Sequence, residues 1–332
     1  MFLHVTIHDS VRPAVRTAAL IEALQRRVVP AAFHYETPRQ ARCWLALHEA
    51  YSPARKDNSA ALLYQNAGEA LMRRLQGREI LLIGLGCGSG GKDKILLQAA
   101  LSCRLKIHYA PVDISLPLVL TAAHAVESLL KTSEGRLFPL VCDLTAFEDC
   151  KAWLQTHVIE QFHPVFSFFG MLPSLSPQEI RECLSRWLIP NSDLLLSANL
   201  IPDDSHATAL AGVLPQYDNE LTRQWLGVFL EDLGIPPYAG HMEFTTQQYQ
   251  GNPPVWVITG DWIFEQSVEV SVGSVPLHFS AGERLRLFSS YRYTPAQVAD
   301  ALHPLGLQVV ESWTDMVSGE GVFLCQAVQS RR

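Results

Sequence analysis

The sequence predicts an α/β fold. A mostly parallel sheet is covered by helices on both faces and ends in an antiparallel hairpin, with a second α+β unit beside it. Three observations predict this. Five apolar runs alternate with helix-length segments between residues 80 and 198. The first run leads into a glycine-rich loop, the punctuation of a strand that feeds a ligand-binding turn. Segments of different pattern precede and follow the alternation.

Residues 11–76 read as mainly helical, because apolar positions such as Leu62, Leu63, Leu71 and Leu75 recur at helical spacing. The polar stretch AYSPARKDNSA (50–60) interrupts them, and Pro53 would break a helix there. The runs at 80–83, 107–112, 137–141, 165–169 and 194–198 are nearly continuously apolar, as strands buried on both faces are. Helices are expected near 92–104, 115–131, 148–160 and 177–187. Strands joined this way lie parallel, and ligands sit beyond their carboxyl ends. Past Pro202 the pattern changes to a helix at 221–233. Antiparallel strands follow within 241–280: VWVITGDWIF, SVEVSV and VPLHF, the last two joined at Gly273–Ser274. Thr294–Pro295 is a helix start, with an N-cap threonine and proline in the first turn. LQVVESW (307–313) and VFLCQAV (322–328) then form a hairpin around MVSGEG that finishes the parallel sheet.

Composition narrows the function. The chain has 332 residues, 48% hydrophobic and 18% charged, enough for a large core. With 26 basic and 33 acidic residues the net charge is -7, and no basic stripe suggests a nucleic-acid partner. The 7 cysteines form no CxxC pair, which argues against a disulfide framework or a zinc site. MFLHVTIHDS lacks the pattern of a signal peptide, and no run reaches membrane-spanning length. A cytoplasmic protein with no membrane partner is expected. The sequence specifies no oligomeric state.

The loop ILLIGLGCGSGGKD (80–93) carries the chemistry. Gly86, Gly88 and Gly91 satisfy G-x-G-x-x-G, a dinucleotide fingerprint that is weak by itself. It keeps a nicotinamide-dependent oxidoreductase open as an alternative, although the acid it requires comes late, at Asp113. The second reading is an S-adenosylmethionine (SAM) loop. There the glycines bring the backbone against the amino-acid part and ribose of the cofactor. An acid after the second strand, Asp113 in PVDIS, would bind the ribose hydroxyls. A polar residue after the third, Asp143 in VCDLT, would hold the adenine amino group. This ordered set favours the methyl donor. A tight turn without ligand explains five glycines poorly, since each costs folding entropy. The candidate cofactor residues are Gly86, Cys87, Gly88, Lys92, Asp113, Ile114, Asp143, Leu144, Phe169 and Gly170.

With these residues in place the chain resembles the histidine-specific N-methyltransferase family of ergothioneine biosynthesis. ILLIGLGCGSGGKDKILL, YAPVDIS and VCDLT are similar to its cofactor segments. AYSPARKDNSA is similar to a segment ahead of its cofactor domain. LPQYDNELTRQWLGVFLEDLG is similar to its Tyr-Asn-Asp segment. FSAGERLRLFSSYRYTPAQVADALHPLGLQVVESWTD is similar to its C-terminal signature, the most specific of the set. The resemblance spans residues 45–328. It implies a Rossmann-like SAM-dependent methyltransferase core, 67–202 and 284–332, and a substrate domain, 1–66 and 203–283, with the acceptor held between them.

Four departures stand out. Gly84 replaces an acid that in the family helps to hold the cofactor's amino group. Ser174 falls where the family has an asparagine that clamps the substrate. Phe288 takes the place of a glutamate that reads imidazole, while Ser290 keeps the adjacent serine. Tyr217 keeps the family tyrosine, but Asp218–Asn219 follow in reversed order. The resemblance and its departures therefore imply methyl transfer from SAM, leaving S-adenosylhomocysteine (SAH), to the nitrogen of a small amine or amino-acid derivative other than histidine. A catalytically degenerate relative that binds a nucleoside-like ligand is a further alternative. Tyr51 and Tyr217 are the candidates for handling the amine, or else packing residues between domains. Tyr51, Ser174, Tyr217, Phe288 and Ser290 are the candidate substrate site, with Tyr293 as a further aromatic wall. His241 and Glu243 form an H-x-E pair with no third ligand, so no metal site is expected.

Overall fold

A computed structural model describes residues 3–52, 58–157, 162–201, 210 and 212–328. Its largest element is an eight-stranded sheet of β1 (Thr6–Ile7), β2 (Ile80–Leu85), β3 (Ile107–Asp113), β4 (Leu140–Val141), β5 (His163–Phe168), β6 (Asp193–Asn199), β12 (Leu307–Asp315) and β13 (Glu320–Ala327). The spatial order is β1-β4-β3-β2-β5-β6-β13-β12. The first six are parallel, and β13 runs antiparallel to β6 and to β12. The hairpin thus closes the sheet where the sequence places it.

The apolar runs are continuous because each strand feeds two cores. Ile80 and Leu82 of β2 join Leu71, Leu96, Leu97 and Val126 on one face. Those partners come from α3 (Asn58–Arg74), α4 (Gly91–Ser102) and α5 (Leu116–Thr132). Leu81, Ile83 and Leu85 join Leu154, Ile180, Leu184 and Val298 on the other. These belong to α6 (Cys150–His157), α7 (Pro177–Trp187) and α9 (Pro295–Leu302). Alternate strand residues point to opposite faces, so a strand sandwiched by helices must be apolar throughout. Helices α7 and α9 both begin with capping boxes, Ser176 with Glu179 and Thr294 with Gln297, each satisfying two otherwise unpaired donors.

A second sheet has the order β11-β8-β7: β7 (Gly240–Tyr249), β8 (Val255–Phe264) and β11 (Arg284–Arg292). The hairpin of β9 (Val268–Val272) and β10 (Val275–Phe279) turns at Gly273, whose φ of 59° suits glycine. These strands share a core with α1 (Pro13–Gln25) and α8 (Glu220–Asp232), built on Leu24, Phe33, Trp225, Phe229, Phe264 and Phe279. Helix α2 (Pro38–Tyr51) lies alongside α8.

Two segments depart from the sequence segmentation. Residues 284–292, grouped there with the methyltransferase core, pair along β8. Residues 58–66 form one continuous helix with 67–74, and Tyr64 is buried against the large sheet. The end of β11 is also stitched to the end of β6: Tyr293 N–H donates to Asn199 O at 3.1 Å and Ile201 N–H to Tyr293 O at 2.9 Å. Strand β11 therefore links the two sheets and carries its alternate side chains along the space between them. Among the described residues no helix is long and apolar enough to cross a membrane.

Candidate active site

A cavity of about 910 Å³ lies between the carboxyl ends of the parallel strands and the second unit. Its wall includes every cofactor candidate, Gly86, Cys87, Gly88, Lys92, Asp113, Ile114, Asp143, Leu144, Phe169 and Gly170. It also includes Tyr51, Ser174, Tyr217, Phe288 and Ser290. Tyr293 does not line it. Arg292 faces Tyr217, so the next residue of the chain turns away, and Tyr293 is fully buried in the core beneath the sheet.

On the sheet side the loop after β2 folds over the end of β3. Gly86 and Cys87 N–H donate to Val112 O at 2.8 and 3.1 Å, and Gly88 N–H donates to Asp113 Oδ2 at 3.1 Å. Gly86 and Gly88 both have positive φ, 69° and 52°, which glycine adopts without strain. The other Asp113 oxygen accepts from Ser115 N–H at 3.0 Å. Burial pushes the Asp113 carboxyl up to about 6 despite these donors. Burial likewise raises the Cys87 thiol well above its ordinary range, so it is a packing group, not a nucleophile.

Asp143 is anchored differently. Thr145 donates to Oδ1 through N–H at 2.9 Å and Oγ1 at 2.7 Å, and Arg16 Nη1 sits 2.5 Å from Oδ2. Arg16 also pairs with Glu36, so one guanidinium holds two carboxylates. Lys92, which opens α4, places Nζ 3.2 Å from Glu320 Oε1, and Glu320 also accepts from buried Tyr64. The charge of Lys92 is thus compensated inside the protein.

On the opposite side, Phe288, Ser290 and Arg292 share one face of β11 and converge on Tyr217. The Phe288 ring is 5.5 Å from that of Tyr217 and 6.3 Å from those of Trp225 and Phe244. Gly260 makes this packing possible: a Cβ there would meet Phe244 at 2.9 Å and Phe288 at 3.2 Å. The Tyr217 hydroxyl oxygen lies 3.1 Å from Asn199 Nδ2 and 3.2 Å from Ser290 Oγ, and accepts from Arg292 Nη2. Arg292 is only 4% exposed, its Nε has no partner, and no carboxylate lies within ion-pair distance of it among the described residues. Tyr51, at the end of α2, is 42% exposed and stands at the open side. Ser174 lies in a short turn after β5. His241 and Glu243 are engaged separately, with Glu265 and Arg284. No group of metal-ligating side chains occurs among the described residues.

Sequence reasoning missed Asp93, Asn199, Arg292 and Glu320, all of which line the cavity. Asn199 had a legible signal, because it ends a buried parallel strand. Arg292 had one in its spacing of two from Ser290. The residues present fit SAM. Two buried carboxylates, Asp93 and Asp113, face the cavity without a cation within ion-pair distance among the described residues. An ammonium and a pair of ribose hydroxyls are the complements such groups require.

The chain is similar to a known family and to several known proteins. The family profile described as "Histidine-specific methyltransferase, SAM-dependent" matches residues 24–210 and 247–327. The chain is similar to the N-methyltransferase fsqC of Aspergillus fumigatus, 21% identical over 236 residues, which cover 70% of this chain and 62% of that protein. It is similar also to the N-methyltransferase imqF of Aspergillus flavus, 20% identical over 245 residues, covering 70% and 64%. The chain thus spans under two thirds of the length of these relatives. Among solved structures it is similar to the 1,6-didemethyltoxoflavin-N1-methyltransferase of Burkholderia thailandensis with bound SAH. That match has 12% identity and a TM-score of 0.41, and covers 87% of this chain and 91% of that one. With the profile matched over most of this chain, the chain belongs to the SAM-dependent histidine-specific methyltransferase family.

Proposed function

We propose that this SAM-dependent methyltransferase methylates the nitrogen of a small amino-acid derivative other than histidine. The observation that carries the reading is the cluster around Tyr217. One cavity joins the glycine loop to a wall of Phe288, Tyr217 and Trp225 and to a buried, uncompensated Arg292. Phe288 offers an imidazole no hydrogen-bond acceptor, and a lost polar contact of this kind changes specificity by orders of magnitude. The wall suits an aromatic or apolar body. Asn199, Ser290 and Arg292 are donors that outnumber the lone pairs of the hydroxyl they surround. Such surplus donors suit an anionic group on the acceptor, such as a carboxylate.

SAM supplies an activated methyl group, so the protein has mainly to align the amine and exclude water. Asp113 would accept from ribose hydroxyls, with its orientation fixed by Gly88 and Ser115. Asp143, held by Arg16 and Thr145, would mark the adenine end. Tyr217, already surrounded by donors, orients the acceptor and is not its base. Tyr51, at the solvent-facing side, is the candidate to hydrogen-bond the amine, and the proton that an ammonium must lose first would leave to solvent there. The aromatic wall would also favour a cationic methylated product.

Calorimetric titration with SAM, SAH and NAD, followed by mass spectrometry of methyl transfer to a panel of amino acids and their derivatives, tests this reading. SAH binding with turnover of an aromatic or apolar amino-acid derivative is the expected result. Turnover of histidine in preference to these would overturn the acceptor assignment. SAH binding with no turnover of any amine would favour the degenerate relative.

A further inference from the structure

We propose that Asp93, on the helix after the glycine loop, is the carboxylate that receives the cofactor's amino group, in place of the acid missing at position 84. The inference rests on SAM as the occupant of the cavity.

The space of the missing side chain is filled. A Cβ at Gly84 would lie 2.2 Å from Asp93 Oδ2 and 3.1 Å from the Tyr109 hydroxyl. The carboxylate has therefore been moved from strand to helix: Asp93 occupies the place into which a residue-84 acid would project. Glycine at 84 is what leaves room for it.

The surroundings of Asp93 point to a cation supplied from outside the chain. It is 4% exposed and lines the cavity. Tyr109 Oη donates to Oδ2 and Ser167 Oγ to Oδ1, each at 2.6 Å. Both donors are neutral. No lysine, arginine or histidine lies within ion-pair distance among the described residues, and the adjacent Lys92 is paired with Glu320. A buried carboxylate without a counter-charge is costly. Two hydrogen bonds to rigid strands, β3 and β5, aim it and leave lone pairs open. An ammonium is the group that would complete it. Burial pushes Asp93 up to about 6 in the free protein, and a bound ammonium would favour its charged form.

The test is calorimetric titration of the full chain, wild type and Asp93→Asn, with SAH and with its analogue lacking only the amino group. Wild type should bind SAH about 10- to 100-fold more tightly than the analogue, the range of a charge-assisted hydrogen bond. Asp93→Asn should abolish that preference and leave affinity for the analogue within about twofold, since the charge is lost while the hydroxyl of Ser167 or Tyr109 can turn to accept from the new amide N–H. A variant that weakens both ligands equally, or neither, overturns the proposal while SAH binding by wild type keeps the cofactor reading. Should Asp93→Asn fail to fold, the wild-type pair still decides, because equal affinity for the two ligands overturns it. Wild type binding neither ligand overturns both the proposal and the cofactor reading.

Discussion

Replacing Arg16 with methionine should cost the protein about 3 kcal/mol near pH 7, toward the lower end of the range for breaking a buried ion pair. The figure follows from what Arg16 touches. Its side chain is 12% exposed and stacks over Phe33 at 4.1 Å. It pairs with Asp143 at 2.5 Å and with Glu36, which joins α1 to the end of the parallel sheet. Methionine keeps the stem and its apolar contact but strands two carboxylates beside each other. Burial already raises the Glu36 carboxyl even with Arg16 present, and the Asp143 charge adds to this. Part of Glu36 reaches solvent, which is why the lower end applies. The sign of the pH dependence follows. Glu36, raised by burial even with Arg16 present, is raised further once that cation is gone, so its penalty is absent at low pH and grows as pH rises. Urea unfolding near pH 7 and near pH 4.5 should therefore show the larger loss at pH 7. The combined variant Arg16→Met, Glu36→Gln, Asp143→Asn should recover more than half of it, since removing a whole buried triad is often nearly neutral. A loss below about 1 kcal/mol near pH 7, or an equal loss at both pH values, would refute the reasoning.

Three further outcomes are expected. Tyr217→Phe keeps the ring but leaves Arg292, Ser290 and Asn199 without their shared oxygen; kcat/KM should fall about 100-fold, against a Tm loss of a few degrees. Phe288→Glu restores an acceptor where the family reads imidazole, so histidine binding measured by calorimetry should rise at least about tenfold, and no gain would count against the specificity argument. Asp93 and Asp113 are both raised from 3.8 to about 6 by burial. Each then costs the ligand-free protein up to about 3 kcal/mol, absent below about pH 4 and complete above about pH 6. An ammonium beside Asp93 offsets this cost, so the Tm increase given by SAH should grow from about pH 5 to about pH 7.5. A flat or falling increase in scanning calorimetry would contradict it.

The sequence by itself determined the layers of this protein. Strands such as β2 and β3 are legible because burial on both faces demands unbroken apolar runs. The starts of α7 and α9 are legible because serine or threonine before proline, with Glu179 or Gln297 three positions after the cap, satisfies local donors. The loops that line the cavity were legible from glycines and acids at strand ends. Elements set by distant partners were not legible. Strand β1 is two residues long and exists because it pairs with β4, far along the chain. Strand β11 alternates in a way that suits either unit, and only pairing with β8 assigns it. Tertiary structure alone decided the site's electrostatics. Asn199, Tyr217 and Arg292 meet around one oxygen although long segments separate them. Gly84 read as a lost carboxylate until the fold brought Asp93 into its place. Local chemistry fixes periodicity, caps and turns, whereas which charge faces which cavity depends on packing between residues far apart in the chain.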